Sequence, residues 1–160
     1  MLASRALREV EVVGGLVETV VAGVARRHGL SHAALNALAV IEGNGGALPA
    51  GEVGARMHIT SGSATSLLDT LERKNYIVRV ADPGDRRRVL VDITPDAQAV
   101  LDTLLPEVQQ IASAVMGAIG DNGLQELLGL LALVRESIAN LPSDLPAPAA
   151  RRTPARLRRS

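Results

Sequence analysis

From Leu7 onward, apolar residues recur at Leu7, Val10, Val13, Val17, Val20 or Val21, and Val24, the three-and-four spacing of one helix face. The spacing predicts a long first helix stopped at Gly29, and Ser31 is suited to cap a second helix reaching about Glu42. The glycine-rich GNGGALPAG of residues 43–51 follows as a connector. It lacks a preceding strand and the Lys-Ser/Thr ending of a phosphate-cradling loop, so no chemistry is assigned to it. A short helix near Ala50–Met57 and an amphipathic one from about Ser61 to Lys74, with Leu67, Leu68 and Leu71 facing inward, form a helix-turn-helix candidate.

The period then changes. Tyr76–Val80 and Val89–Ile93 are β-rich runs, and between them Asp82-Pro83-Gly84-Asp85 is built to turn, which predicts a two-stranded hairpin. Thr94 is placed to cap the next helix, with Pro95 at the first position, where a missing N–H costs nothing. Two long helices complete the pattern, Pro95 to about Ala118 and Asn122 to Ala139, the first carrying Pro106 inside it and hence an expected kink. The LLGLLALV run at 127–134 is more apolar than so small a body needs for its own core. Helix packing against a second copy is its simplest outlet. Beyond Leu141, PSDLPAPAARRTPARLRRS shows no burial pattern and reads as a disordered basic tail.

Composition narrows the chemistry. The 160 residues contain no Cys, Phe or Trp and a single Tyr76, so disulfides, thiolate metal sites and aromatic stacking platforms are excluded. The N-terminal MLASRALREVEVVGG carries charges among its apolar residues and suits neither a signal peptide nor a membrane span, so a cytoplasmic location without membrane contact is expected. Formal net charge is zero, yet residues 141–160 hold five arginines and one aspartate; the remainder has 12 basic and 16 acidic residues, a net −4. Within that acidic body, Arg73, Lys74, Arg79, Arg86, Arg87 and Arg88 face only Asp82 and Asp85 between positions 73 and 88. An anion-binding surface must therefore be local to the hairpin.

Catalysis finds no support in the titratable residues. His28 and His32 straddle Gly29 and the Ser31 cap, His58 stands alone before the amphipathic helix, and no nucleophile-elbow motif is present. The expectation is a protein that is not an enzyme, with no cofactor and no metal.

A helix-turn-helix followed at once by a hairpin with a basic tip is the layout of a winged helix, in which one helix enters the major groove and the tip reaches backbone or minor groove. The fold class expected is mainly α: a winged helix-turn-helix with a two-stranded β wing, plus N- and C-terminal helices forming a dimerisation domain. The boundaries expected are 1–30 for the N-terminal dimerisation helix, 31–94 for the DNA-binding lobe, 95–140 for the C-terminal dimerisation helices and 141–160 for the tail.

The string SATSLLDTLERKNYIVRVADPGDRRRVLVDITPDA resembles the recognition helix, helix-ending basic pair and wing of the MarR family of winged-helix transcription regulators. The resemblance runs in detail from about Leu30 to Leu104. It implies a homodimer on a pseudo-palindromic operator in double-stranded DNA, acting as an effector-responsive repressor, with a small lipophilic effector held among the first, second and fifth helices. It also implies that Asp85 orients Arg87, that Arg87 enters the minor groove, and that Asp69 braces the wing through an arginine such as Arg86. Arg88 is left at most a backbone contact. Ser66 and Thr70 stand where the family often has arginine. Base reading then falls to Ser61, Ser63, Thr65 and Ser66, with Gly62 leaving backbone N–H groups open to a phosphate. The same substitutions keep a second reading open: a helical interaction or adaptor protein whose winged helix has lost specific DNA binding.

Overall fold

The computed structural model describes residues 1–85 and 88–142, in which helices α1 (Leu2–Arg27), α2 (His32–Glu42), α3 (Ala50–Arg56), α4 (Ser61–Arg73), α5 (Pro95–Met116) and α6 (Gly120–Ala139) are joined by three short strands, β1 (Leu48–Pro49), β2 (Ile77–Ala81) and β3 (Val89–Ile93). The expected mainly helical winged helix-turn-helix is what the chain adopts. Two compact units divide it, residues 1–114 and residues from 115 onward.

In the first unit, side-chain caps start the helices. Ser31 Oγ accepts from Ala34 N at 3.1 Å, Thr60 Oγ1 from Ser63 N at 3.2 Å, and Thr94 Oγ1 from Ala97 N at 3.2 Å. Thr60 is thus the cap of α4, which begins at Ser61 as its periodicity predicts.

Three helices stop in the same way, at a residue in the left-handed region: Gly29 (φ 75°) after α1, His58 (φ 54°) after α3 and Asn75 (φ 59°) after α4. At each stop that residue's N–H reaches back three residues and the next N–H reaches back five, as in Asn75 N to Glu72 O and Tyr76 N to Leu71 O, both 2.9 Å. These bonds satisfy carbonyls that the ending helix would otherwise leave unpaired.

The hairpin pairs as its β-rich runs predict, with Ile77 opposite Ile93, Arg79 opposite Val91 and Ala81 opposite Val89. A third strand joins it. Leu48 pairs with Val91 and Pro49 with Leu90, which makes an antiparallel sheet of order β1-β3-β2 where only two strands were expected. Two residues are too short a run to show alternation, and Pro49 hides the signal further because it is tolerated only at a sheet edge. Buried Leu48 and Val91 meet Leu38, Leu68, Leu71, Ile77, Leu101 and Leu104 in one apolar core. Helix α1 contributes to it only through its last turns, where Val24 and Ala25 are buried; residues 1–20 are exposed, including Leu7, Val10, Val13, Val17 and Val20. Helix α5 runs through Pro106 as one element.

The second unit, as described, contains the end of α5, a 3₁₀ turn at Gly117–Ile119 and α6, which begins at Gly120, two residues before the expected Asn122. Gly120 has φ 63°, which allows the chain to turn there. No residue of α6 is buried, and Leu128, Leu130, Leu131, Leu133, Val134 and Ile138 are exposed. Among the described residues, no helix is long and apolar enough to cross a membrane. The basic tail lies outside the described residues except for its first two positions.

Candidate nucleic-acid interface

The second helix of the helix-turn-helix presents a hydroxyl-rich surface. Ser61, Gly62, Ser63, Thr65 and Ser66 are all exposed, while Ala64, Leu68 and Leu71 of the same helix are buried. Thr65 Oγ1 donates to Ser61 O at 2.9 Å, so its proton is committed and the oxygen offers only acceptor capacity outward. Ser63 Oγ instead accepts from Thr60 Oγ1 at 2.9 Å and keeps its own proton to donate. Thr70 Oγ1 is turned back onto Ser66 O at 2.9 Å, and Arg73 Nη2 donates to the Thr70 hydroxyl at 3.1 Å. Small donors and acceptors of this kind suit base edges or phosphate oxygens at close range.

Two features hold this helix in place. Its N-terminal half lies so close to α3 that a Cβ built on Gly54 would stand 2.8 Å from Ala64 Cβ, closer than two carbons approach without displacement. Its C-terminal half is gripped from the wing: Arg79 on β2 donates Nη2 to Asp69 Oδ1 at 2.7 Å and Nη1 to Glu72 Oε2 at 2.6 Å. Asp69 and Glu72 are three residues apart on one face of α4, which lets one guanidinium span both. The hydrogen bond that Arg79 donates to Asp69, outweighing partial burial and joined by the charge of Glu72, raises the Arg79 pKa above its ordinary value. Asp69 pairs with Arg79 of β2, a residue that the sequence reading did not name as its partner. Period-two alternation carries the available clue, since Arg79 lies on the inward face of β2 opposite buried Val91.

At the wing tip, Asp82 Oδ1 accepts from Gly84 N at 2.8 Å, and Asp82 N donates to Arg88 O at 3.1 Å. Arg88 N closes the turn onto Asp85 O at 2.9 Å, while its side chain stands 3.8 Å from Asp82 Oδ2 and remains more than half exposed. Asp85 and Arg88 therefore flank the tip. Arg86 and Arg87 lie outside the described residues.

The histidines are spread across structural roles. His28 Nε2 lies 2.8 Å from Glu107 Oε1, whose other oxygen accepts from Arg27 at 2.6 Å; His32 faces Glu18 at 3.5 Å; His58 forms the left-handed turn after α3. Hydrogen bonds from Arg27 and then from His28 hold the Glu107 carboxyl below its ordinary pKa. Among the described residues, no group of three or more His, Asp or Glu side chains could hold a metal ion. A cleft of about 330 Å³ between α3, α4 and β2 is lined by Gly54, Ile59, Ser61, Thr65 and Arg79, and one of about 380 Å³ lies between α2 and α3 at Asn36, Val40, Arg56 and Met57. Neither is enclosed by α1, α2 and α5 together, where the resemblance places an effector.

The MarR family model matches residues 28–88, from the end of α1 to the far side of the wing. The chain is 40% identical over 62 residues to the HTH-type transcriptional regulator YcgE of Bacillus subtilis, which covers 38% of this chain and 40% of YcgE. It is 32% identical over 72 residues to the HTH-type transcriptional repressor NicR of Pseudomonas putida, which covers 45% of this chain and 44% of NicR. The matched stretch thus spans less than half the length of these curated relatives. In three dimensions the fold is similar to that of a mutant MarR from E. coli complexed with operator DNA, with TM-score 0.72, 21% identity, and coverage of 79% of this chain and 91% of that one. Residues 28–88, the helix-turn-helix and wing, are thus similar in sequence to the MarR family, and the fold as a whole is similar to that of the solved MarR protein.

Proposed function

We propose that this chain is a sequence-specific DNA-binding repressor that acts as a homodimer on a pseudo-palindromic operator. The observation that carries the reading is the arrangement of α4 and the wing: an exposed row of hydroxyls on a helix held from both ends, beside a hairpin whose two strands are joined by a sequence containing Asp85-Arg86-Arg87-Arg88. The hydroxyls of Ser61, Ser63, Thr65 and Ser66 read the major groove, with the backbone at Gly62 against a phosphate. Arg87, oriented by Asp85, enters the narrow minor groove, where the negative potential is deepest; Arg86 and Arg88 stay with the backbone. The name of NicR as a repressor and the operator DNA bound by the MarR relative support this assignment.

The exposed apolar faces of α1 and α6 are the surfaces that a second copy would cover. On this reading residues 1–30 and 95–140 build the dimer and 31–94 the DNA-binding lobe, in the cytoplasm, with a small lipophilic effector as the releasing signal.

The test is a gel shift of the full chain with DNA upstream of its own coding region and with duplexes selected from a random pool, repeated with Arg87→Ala at several salt concentrations. Binding that is lost in the variant and falls steeply with salt is expected. Binding that Arg87→Ala leaves intact, or that hardly responds to salt, would overturn the assignment in favour of an adaptor role.

A further inference from the structure

The junction where α4 ends and α5 begins carries more hydrogen bonding than either helix end requires. Thr94, the buried cap of α5, donates Oγ1 to Asn75 O at 2.6 Å and N to Tyr76 O at 3.0 Å while accepting from Ala97 N. Across the same gap Asn75 Nδ2 donates to Asp96 Oδ2 at 2.8 Å, a bond between residues 21 positions apart. Asn75 holds the left-handed conformation that ends α4. Glycine takes that conformation at the least cost, so the turn alone gives no reason for a carboxamide there. What the carboxamide adds is the link to α5.

We propose that Asn75 is a positioning residue for DNA recognition, its bond to Asp96 setting the tilt of the recognition helix on α5. The inference rests on the DNA-binding reading above for its consequence, but not for its geometry. Helix α4 has 13 residues and is therefore about 20 Å long. A tilt of about 10° at the pinned C-terminal end moves the far end by about 3 Å over that length, more than the tolerance of any hydrogen bond made there. Ser61 and Ser63, at the far end, are the groups displaced. Arg79 restrains the same half of α4 toward the wing, and Asn75 restrains it toward α5, so the two together define a direction that neither defines alone.

The test uses the full chain carrying Asn75→Gly, which keeps the turn and removes the link, together with Asp96→Ala, Asp96→Asn and the double variant Asn75→Gly/Asp96→Ala. Affinity is measured for a duplex selected by the unmodified chain, beside the melting temperature. Asn75→Gly and Asp96→Ala are each expected to weaken binding about three- to tenfold, the worth of one hydrogen bond. Melting should stay unchanged or rise in Asn75→Gly, Asp96→Asn should bind as the unmodified chain does, and the double variant should be no weaker than either single one. Wild-type affinity in Asn75→Gly, additive losses, or a fall in melting that accounts for the loss would overturn the proposal.

A second measurement needs no DNA. Backbone residual dipolar couplings of the free protein report the angle between α4 and α5, and that angle must change in Asn75→Gly; an unchanged angle sinks the positioning role even if DNA binding is sound. A changed angle in a protein that binds no duplex would leave the positioning intact and defeat the DNA reading.

Discussion

Helix α4 and the wing differ in the chemistry they offer. Helix α4 shows the solvent short hydroxyls, two of them, on Thr65 and Thr70, with their protons already committed to its own backbone, and it is fixed by the Gly54–Ala64 approach, the Arg79 grip and the Asn75 bond. The wing carries Arg86, Arg87 and Arg88 in the sequence between its strands, and its described part is shaped by backbone turns around Asp82. Hydroxyl contacts are short and directional, so they require a precisely held scaffold; a guanidinium on a long side chain reaches its target by charge and tolerates a looser support. The contrast teaches that rigidity and charge are divided between the two elements.

The largest expected effect tests the rigidity side. Gly54→Val forces branched carbon into the 2.8 Å approach to Ala64 and should cost about 1–3 kcal/mol, read as a lowered melting temperature. Gly84→Ala at the wing tip, where the added carbon meets only Asp82 Oδ1 at 3.4 Å, should stay within about 0.5 kcal/mol. Equal losses at the two glycines would erase the distinction.

Next comes the charge side. Arg87→Ala should weaken DNA binding about tenfold or more and flatten its salt dependence, as loss of one groove-inserted arginine does. Ser66→Ala should weaken it only about two- to threefold, the lower range for one hydrogen bond, with the salt slope unchanged. Titrations of both variants at two salt concentrations decide this; a larger effect at Ser66 would mean that the helix and not the wing dominates.

A smaller effect is expected where the two elements meet. Arg79→Ala leaves Asp69 and Glu72 without their shared partner, but both carboxylates are largely exposed, so the stability lost should be at most about 1 kcal/mol. Binding should suffer more than melting does, because the wing then moves relative to α4. The raised Arg79 pKa contributes stability that is present at all pH values below its ordinary one, so this term does not vary across the working range.

Smallest is the acid dependence at Glu107, which pairs with Arg27 and His28 and with neither of these elements in any hydrogen bond described. Its pKa is lowered by Arg27 and His28, so the stability it contributes is present above the ordinary carboxylate value of 4.5 and lost as pH falls through the lowered value. In Glu107→Gln, that part of the acid limb of a melting-temperature profile should flatten, with DNA binding near neutrality unaffected. An unchanged acid limb would show that the ion pair carries no stability.

The helices, the hairpin and their order were legible in the residues because each rests on local signals: the spacing of Leu68 and Leu71, the caps Ser31 and Thr94, the turn at Asp82-Pro83-Gly84. The exposed hydroxyls of α4 follow from the same periodicity, since burying Ala64, Leu68 and Leu71 leaves Ser61, Thr65 and Ser66 outside. Tertiary structure alone decided the third strand at Leu48–Pro49, the choice of Arg79 as partner of Asp69 and Glu72, and the bond from Asn75 to Asp96. Each of these joins segments whose proximity is created by packing of the core, and one-dimensional spacing carries no record of which side chain lies opposite which across a gap closed by burial.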